Sequence, residues 1–245
     1  MNNFFKIHAC GNNFLVFFKN KQIIFFKKIL NKVNLNCDQI LIIKNINFIN
    51  YIINIKIFNN NFSEALNCGN GIRCLSWFFL IKKKNFFLNF KLKKNYIYSF
   101  KSKNIYTIYK ISKIKFLFIK IKNFFLKVYF VNLINLHIIL FIKNINSIYL
   151  KKIYIKIKKY FGDCYNIEFL KLLNKNNFFI RIFERGVGET YSCGSGIISS
   201  SFCIKKKLLK NNYKINSIGG ECYTIFIKKF ISIYGKVNFC FFGKI

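Results

Sequence analysis

Apolar positions run through this chain in two rhythms. QIIFFKKILNKV at Gln22–Val33 repeats them at helical spacing, whereas Gln39–Lys44 and Tyr51–Asn59 carry the β-branched runs and alternation of strands. A glycine turn at Cys68–Gly71 precedes Ile72–Lys83, whose pattern predicts a helix. From Tyr96 to Lys122 short β-branched and aromatic runs predict strands, and Val128–Ile142 reads as one more. Ser147–Phe161 returns to helical spacing, Asn177–Phe183 is strand-like and leads into a second glycine turn, and Ile197–Leu208 predicts the helix after it. The expected fold is therefore mixed α/β.

The two glycine turns are one device used twice: NCGNGIRC at Asn67–Cys74 and SCGSGIIS at Ser192–Ser199. Each follows strand-like sequence and opens a helix, so the chain reads as a diverged duplication of two similar domains whose CGxG turns meet in a cleft. No Pro-, Gly- or Ser-rich linker marks the boundary, which is placed near residue 112, giving domains 1–112 and 113–235.

A cysteine at the start of a helix faces unpaired backbone N–H groups and the positive end of the helix dipole, which lower a thiol pKa and attract anions. Thiolate character is expected at Cys68 and Cys193. The amides of Gly69, Asn70, Gly194 and Ser195 are suited to hold a carboxylate, because glycine lets the backbone approach closely. One thiolate to remove a proton and one thiol to return it on the opposite face are what stereoinversion at a carbon requires. That chemistry calls for no pyridoxal phosphate and no metal, so no cofactor is expected.

Composition alters the picture less than it first suggests. The 245 residues carry 42 Lys and Arg against 7 Asp and Glu, a formal charge of +35, which would ordinarily point to nucleic acid or an anionic membrane. The lysines are spread from Lys6 to Lys244 among Asn, Ile and Phe with no concentrated footprint, and Pro is absent. Codon drift toward AT-rich DNA gives this mixture without selecting a partner, so no specific nucleic-acid partner is expected. Against that background the cluster Glu184, Arg185 and Glu189 in FERGVGET stands out. The nine cysteines form no CxxC pair, so neither a zinc site nor a disulfide scaffold is indicated. The longest uncharged runs hold 15 residues, short of the ~20 of a membrane span, and MNNFFKIHACGNNF lacks the pattern of a secretory leader. A cytoplasmic protein outside the membrane is expected.

The cysteine motifs, together with KIHACGNNF at Lys6–Phe14, DQILII at Asp38–Ile43, IFNNNFSEALNCGNGIRC at Ile57–Cys74, FERGVGETYSCGSG and GGE at Gly219–Glu221, resemble the diaminopimelate epimerase family over nearly the whole chain. The resemblance implies two pseudo-symmetric α/β domains, each a curved sheet or barrel around a central helix, with a C-terminal strand over 236–245 returning to the first domain. It implies a homodimer, a small-molecule substrate, diaminopimelate, and a place in lysine and cell-wall precursor synthesis. It makes Cys68 and Cys193 the acid and base, with Gly69, Asn70, Gly194 and Ser195 on the reacting carboxylate. Asn12, Gln39, Asn59, Asn135 and Asn166 fall where the family places substrate-binding amides, and Glu184 and Arg185 where it grips an amino group and the distal carboxylate. His137, two residues after Asn135, reads as a local support, and His8 as structural. Three loops depart from the family: GNPH is INLH at Ile134–His137, NADGSE is NNNFSE at Asn59–Glu64, and GNDF is GNNF at Gly11–Phe14. Neither cysteine motif is touched.

Two other readings compete. A proline racemase-like enzyme also pairs two cysteines in glycine turns, but that family resembles CGHG where this chain has Asn70. A basic binding protein on an epimerase scaffold would have no need of intact Cys68 and Cys193.

Overall fold

The computed structural model describes residues 3–18, 36–82, 86–93, 95–110, 113–121 and 124–244. The helix expected over Gln22–Val33 lies outside them. Contacts divide the chain into two units, Met1–Tyr109 with Tyr234–Ile245, and Lys110–Ile233.

The first unit contains β1 (Asn3–Ala9), β2 (Asn12–Phe18), β3 (Gln39–Asn47), β4 (Ile52–Asn59), β5 (Glu64–Ala65), α1 (Gly69–Trp77), β6 (Phe87–Leu92), β7 (Asn95–Lys101), β8 (Ile105–Lys110) and the returning strand β18 (Asn238–Lys244). Strand β4 shows why: IINIKIFN alternates, and Ile53, Ile55 and Ile57 all point inward. Strands β2 and β3 run parallel, β3 and β4 antiparallel, and β4 and β6 parallel, while β18 lies antiparallel against β1. Helix α1 is buried from Gly69 to Ser76, on every side, as befits a central helix. It starts three residues before the expected Ile72 and passes into a π-helical turn at Phe78–Lys82, where Phe78 stacks on Phe5 with ring centroids 4.1 Å apart.

The second unit contains β9 (Ile114–Ile121), β10 (Phe124–Asn132), β11 (Leu136–Phe141), α2 (Leu150–Phe161), β12 (Tyr165–Asn174), β13 (Asn177–Glu184), β14 (Gly188–Thr190), α3 (Gly194–Leu208), β15 (Asn212–Ser217), β16 (Gly220–Ile227) and β17 (Phe230–Gly235). Its pairings repeat those of the first unit: β11 with β12 parallel, β12 with β13 antiparallel, β13 with β15 parallel, and β9 against β10 in the place of β18 against β1. Helix α2 fills the crossover that a parallel β11–β12 pair demands, packing Leu150 and Ile157 into a core with Val128, Ile138, Leu140, Ile167 and Phe169. Each fully buried side chain of this size contributes ~1.5–3 kcal/mol. Helix α3 is buried from Gly194 to Ile204. The fold is thus the mixed α/β class expected, with a central helix in each unit.

One expectation is corrected. Val128–Ile142 is not a single strand but the end of β10 and all of β11, joined by a bend at Leu133–Asn135 in which the Leu133 N–H donates to the Asn135 carbonyl at 3.2 Å. The turn uses neither Gly nor Pro, so an apolar run conceals it. Among the described residues no helix is long and apolar enough to cross a membrane.

Candidate active site

The first cysteine turn is assembled at one end of the first unit's sheet. Parallel register sets Phe14 of β2 against Gln39 of β3, and antiparallel register sets Gln39 against Asn59 of β4. Asn12, Gln39 and Asn59 therefore stand at the same end of three neighbouring strands. Gln39 Nε2 donates to Asn59 Oδ1 at 2.8 Å, and Asn59 Nδ2 donates to Ser63 Oγ at 2.9 Å. Cys68 caps α1 in extended conformation, its sulfur accepting the Gly71 N–H at 3.3 Å and its carbonyl accepting the Ile72 N–H at 2.9 Å. A sulfur at this cap lies where the helix amides point. Asn70 is buried, and its Nδ2 donates to Asn12 Oδ1 at 2.8 Å.

The second turn repeats the plan. His137 of β11 is set against Asn166 of β12, and Asn135 precedes His137 by the same two residues that separate Asn12 from Phe14. Asn166 Oδ1 accepts the Arg185 backbone N–H at 3.0 Å. Glu184 ends β13, and its Oε1 accepts a hydrogen bond from Thr190 Oγ1 at 2.7 Å. Cys193 caps α3, its carbonyl accepting the Ile197 N–H at 2.9 Å and its sulfur 3.4 Å from Ser195 Oγ. Arg185 is exposed at the end of this hairpin.

The electrostatics correct one expectation. The Cys193 thiol is held well above its ordinary range, first by burial and then by the nearby charges of Glu184 and Glu168, with Ser195 and the Gly196 amide pulling weakly the other way. Burial outweighs the helix terminus, so Cys193 rests as a thiol rather than a thiolate. The Glu184 carboxyl is also raised, by burial first, with Thr190 opposing and Glu168 adding to it.

Two further features were not singled out from the sequence. Glu168, an acid inside the apolar strand NIEFLKL, is fully buried and bonded to His137, Nδ1 to Oε1 at 2.8 Å. Its signal was available, since charges are rare in such runs. Arg181 holds Glu189 bidentately at 2.7 and 2.9 Å, and its Nη1 donates to the carbonyls of Ile145 and Ile148. Glu189 therefore serves a structural clamp.

No family model matches the chain. Curated relatives do: it is 31% identical to the diaminopimelate epimerase of Buchnera aphidicola subsp. Baizongia pistaciae over 89% of this chain and 85% of that one. It is 30% identical to that of Wigglesworthia glossinidia brevipalpis over 99% of each. Among solved structures, a PhzF-family phenazine biosynthesis protein from Enterococcus faecalis superposes with a TM-score of 0.75 at 15% identity, covering 99% of this chain and 98% of the other. A hydroxyproline epimerase from Agrobacterium vitis gives 0.69 at 8%, covering 99% and 91%. At those identities the structural likeness concerns the fold.

Proposed function

Because the chain belongs to the diaminopimelate epimerase family, we propose that it is an isomerase that inverts one stereocentre of 2,6-diaminopimelate, with Cys68 and Cys193 as the acid–base pair. The observation that carries this reading is the repeated constellation: in each unit a cysteine caps a central helix beside strand ends bearing Asn or Gln. In the forward step a thiolate takes the α-proton, the C–H electron pair stays on carbon as a carboxylate-conjugated carbanion, and the thiolate becomes a thiol. The other thiol then gives its proton to the opposite face and becomes a thiolate. Atoms and charge balance, and no cofactor need accept electrons. A Cys193 that rests protonated suits the donating role for one epimer. Amides of Gly69, Asn70, Gly194 and Ser195 stabilise the developing charge in this reading. Asn12, Gln39, Asn59, Asn135, Asn166, Glu184 and Arg185 bind the rest of the substrate.

The test is epimerisation of LL-diaminopimelate in deuterated water by wild type, Cys68→Ser and Cys193→Ser. Solvent deuterium in newly formed meso product, and loss of most turnover in each folded variant, are expected. Turnover of proline or hydroxyproline but not diaminopimelate would transfer the chain to the other racemase reading, and a single variant with near-normal turnover would remove that cysteine from the mechanism.

A further inference from the structure

The internal repeat extends past the cysteine turns into the helices behind them. Eight residues after Cys68 stands Ser76, and eight after Cys193 stands Ser201. Each serine hydroxyl donates to the carbonyl four residues back, Ser76 Oγ to Ile72 at 2.7 Å and Ser201 Oγ to Ile197 at 2.9 Å. Each also meets a strand hydroxyl 23 residues further on, Ser99 Oγ of β7 at 2.7 Å and Thr224 Oγ1 of β16 at 2.9 Å. Ser99 lies in turn 3.3 Å from Thr107 Oγ1, its register partner on β8. All five side chains are fully buried. A carbonyl can only accept and a serine carries one hydroxyl proton, so the strand hydroxyl is the donor to the serine in both units.

The line of bonds runs on to the cysteine. Ile72 receives Ser76 on its carbonyl, and its N–H donates to the Cys68 carbonyl at 2.9 Å. Ile197 does the same between Ser201 and Cys193, again at 2.9 Å. Strand hydroxyl, serine, isoleucine backbone and cysteine are therefore linked in each unit in the same order and at the same spacing. Helix composition does not account for this. Ser199 and Ser200 are as deeply buried as Ser201, yet their hydroxyls have no hydrogen-bond partner among the described residues. Stability accounts for it poorly too, since alanine is the better helix former and replacing both partners of a buried hydrogen bond by apolar groups of the same shape is close to neutral. What a hydrogen bond adds is direction. Apolar burial of a helix on every side is non-directional, whereas a bond to one strand atom fixes how far the helix advances along its sheet.

We propose that Ser76 and Ser201 are positioning residues, each tying its central helix to the sheet of its own unit and thereby setting where the cysteine at the helix start stands, without touching substrate. The consequence for turnover rests on the acid–base roles proposed above, but the hold on the turn does not.

The experiment uses the full chain with Ser201→Ala/Thr224→Val, which removes both hydroxyls of the second unit at nearly constant shape, and with the swap Ser201→Thr/Thr224→Ser, which keeps a hydroxyl at each site. In the hydroxyl-free variant kcat for diaminopimelate is expected to fall about tenfold with KM within about twofold, since small displacements of a reacting group carry penalties of this order. The Ile197 amide is expected to exchange with deuterated solvent about five- to tenfold faster by NMR, the size set by one lost hydrogen bond, while the Ile204 amide and the urea midpoint stay unchanged. Alanine favours the helix, so lost propensity cannot produce faster exchange. The swap is expected to keep wild-type kcat and amide rates. Ser76→Ala should act likewise on the Ile72 amide, and an unchanged rate there overturns the claim for the first unit. Unchanged kcat in the hydroxyl-free variant overturns the proposal, as does acceleration spread evenly over α3, or a swap as damaged as that variant. Failure of the hydroxyl-free variant to fold overturns it too, because the bond is then purely structural. A wild type that does not epimerise diaminopimelate, with acceleration confined to the cysteine turn of the hydroxyl-free variant, upholds the anchor and refutes the function proposed above.

Discussion

The Asn70 side chain reaches Asn12 across 58 residues of sequence, its Nδ2 donating to Oδ1 at 2.8 Å. The bond ties the first turn of α1 to the start of β2, and Asn70 is only 1% exposed. Asn12→Ala removes a partner from a buried amide, so the unfolding free energy is expected to fall by about 1–2 kcal/mol. Asn12→Asp keeps an acceptor in place and should recover most of that. Urea denaturation of the three proteins measures it, and equal losses for Ala and Asp would show that the bond is not the cause.

How far the sequence revealed these relationships depended on whether the signal was local. Strand β4 was legible because Ile53, Ile55 and Ile57 alternate with outward residues, and both cysteine turns because glycine punctuates them. The bend between β10 and β11 was not, since Asn132 and Asn135 frame it without a breaker inside a long apolar run. Strands β1 and β2 passed unread for a related reason: FFKI and FLVFF supply apolar character without a clean period. Glu168 and His137 are 31 residues apart, and only the parallel register of β11 and β12 brings them together. Cys193 shows the same limit in chemistry. Its place at a helix start is written locally, but the burial that dominates its thiol depends on the whole unit.

Two arginines four residues apart, one within β13 and one at its end, should separate stability from activity. Arg181 grips Glu189 through two bonds and the carbonyls of Ile145 and Ile148 through Nη1, a fork that lysine cannot reproduce. Arg181→Lys is expected to cost about 2–3 kcal/mol of unfolding free energy. Arg185 is exposed, so Arg185→Lys should change stability by less than about 0.5 kcal/mol. As the proposed grip on the distal carboxylate it should instead lower kcat/KM roughly 10- to 100-fold. Denaturation and steady-state kinetics on both variants test the contrast, and an unchanged kcat/KM would place Arg185 outside the site.

Buried thiols should make the fold sensitive to alkali. Cys37 is 7% exposed, and its thiol is pushed from 9.0 to about 11, by burial first and then by Asp38, with Lys6 opposing. A group that holds its proton more tightly folded than unfolded stabilises the fold fully below its unfolded pKa, and that contribution disappears as pH rises through the folded value. The window for Cys37 is therefore pH 9 to about 11. A rise of this size corresponds to about 2–3 kcal/mol at most. Cys37→Ala loses some packing at every pH but should flatten the decline across this window. Unfolding free energies of wild type and variant, compared at intervals from pH 8 upward, give the difference, and parallel curves would exclude Cys37 as a source.

Gly196 and Gly71 occupy the same place in the two CGxG turns, yet replacing each by alanine should differ sharply. At Gly196 the new Cβ would stand 2.5 Å from Glu168 Oε1 and 3.1 Å from both Cδ and Cγ. Glu168 is sealed and held by His137 at 2.8 Å, so it has little freedom to swing aside. Alanine improves helix propensity by about 1 kcal/mol over glycine, but overpacking of this kind costs about 1–3 kcal/mol or more, so the net effect should be destabilising. At Gly71 the nearest atoms are a Leu41 methyl at 3.2 Å and the Phe14 ring edge at 3.3 Å, and shifts of a few tenths of an ångström relieve the contact. Gly71→Ala is therefore expected to lie within about 1 kcal/mol of wild type, and Gly196→Ala about 1–2 kcal/mol below it. The decisive comparison puts Gly196→Ala into the His137→Phe/Glu168→Leu background, where its cost should fall to that of Gly71→Ala. A double-mutant cycle by urea denaturation measures the coupling. If Gly196→Ala costs the same in both backgrounds, the carboxylate beneath the turn is not what demands glycine there.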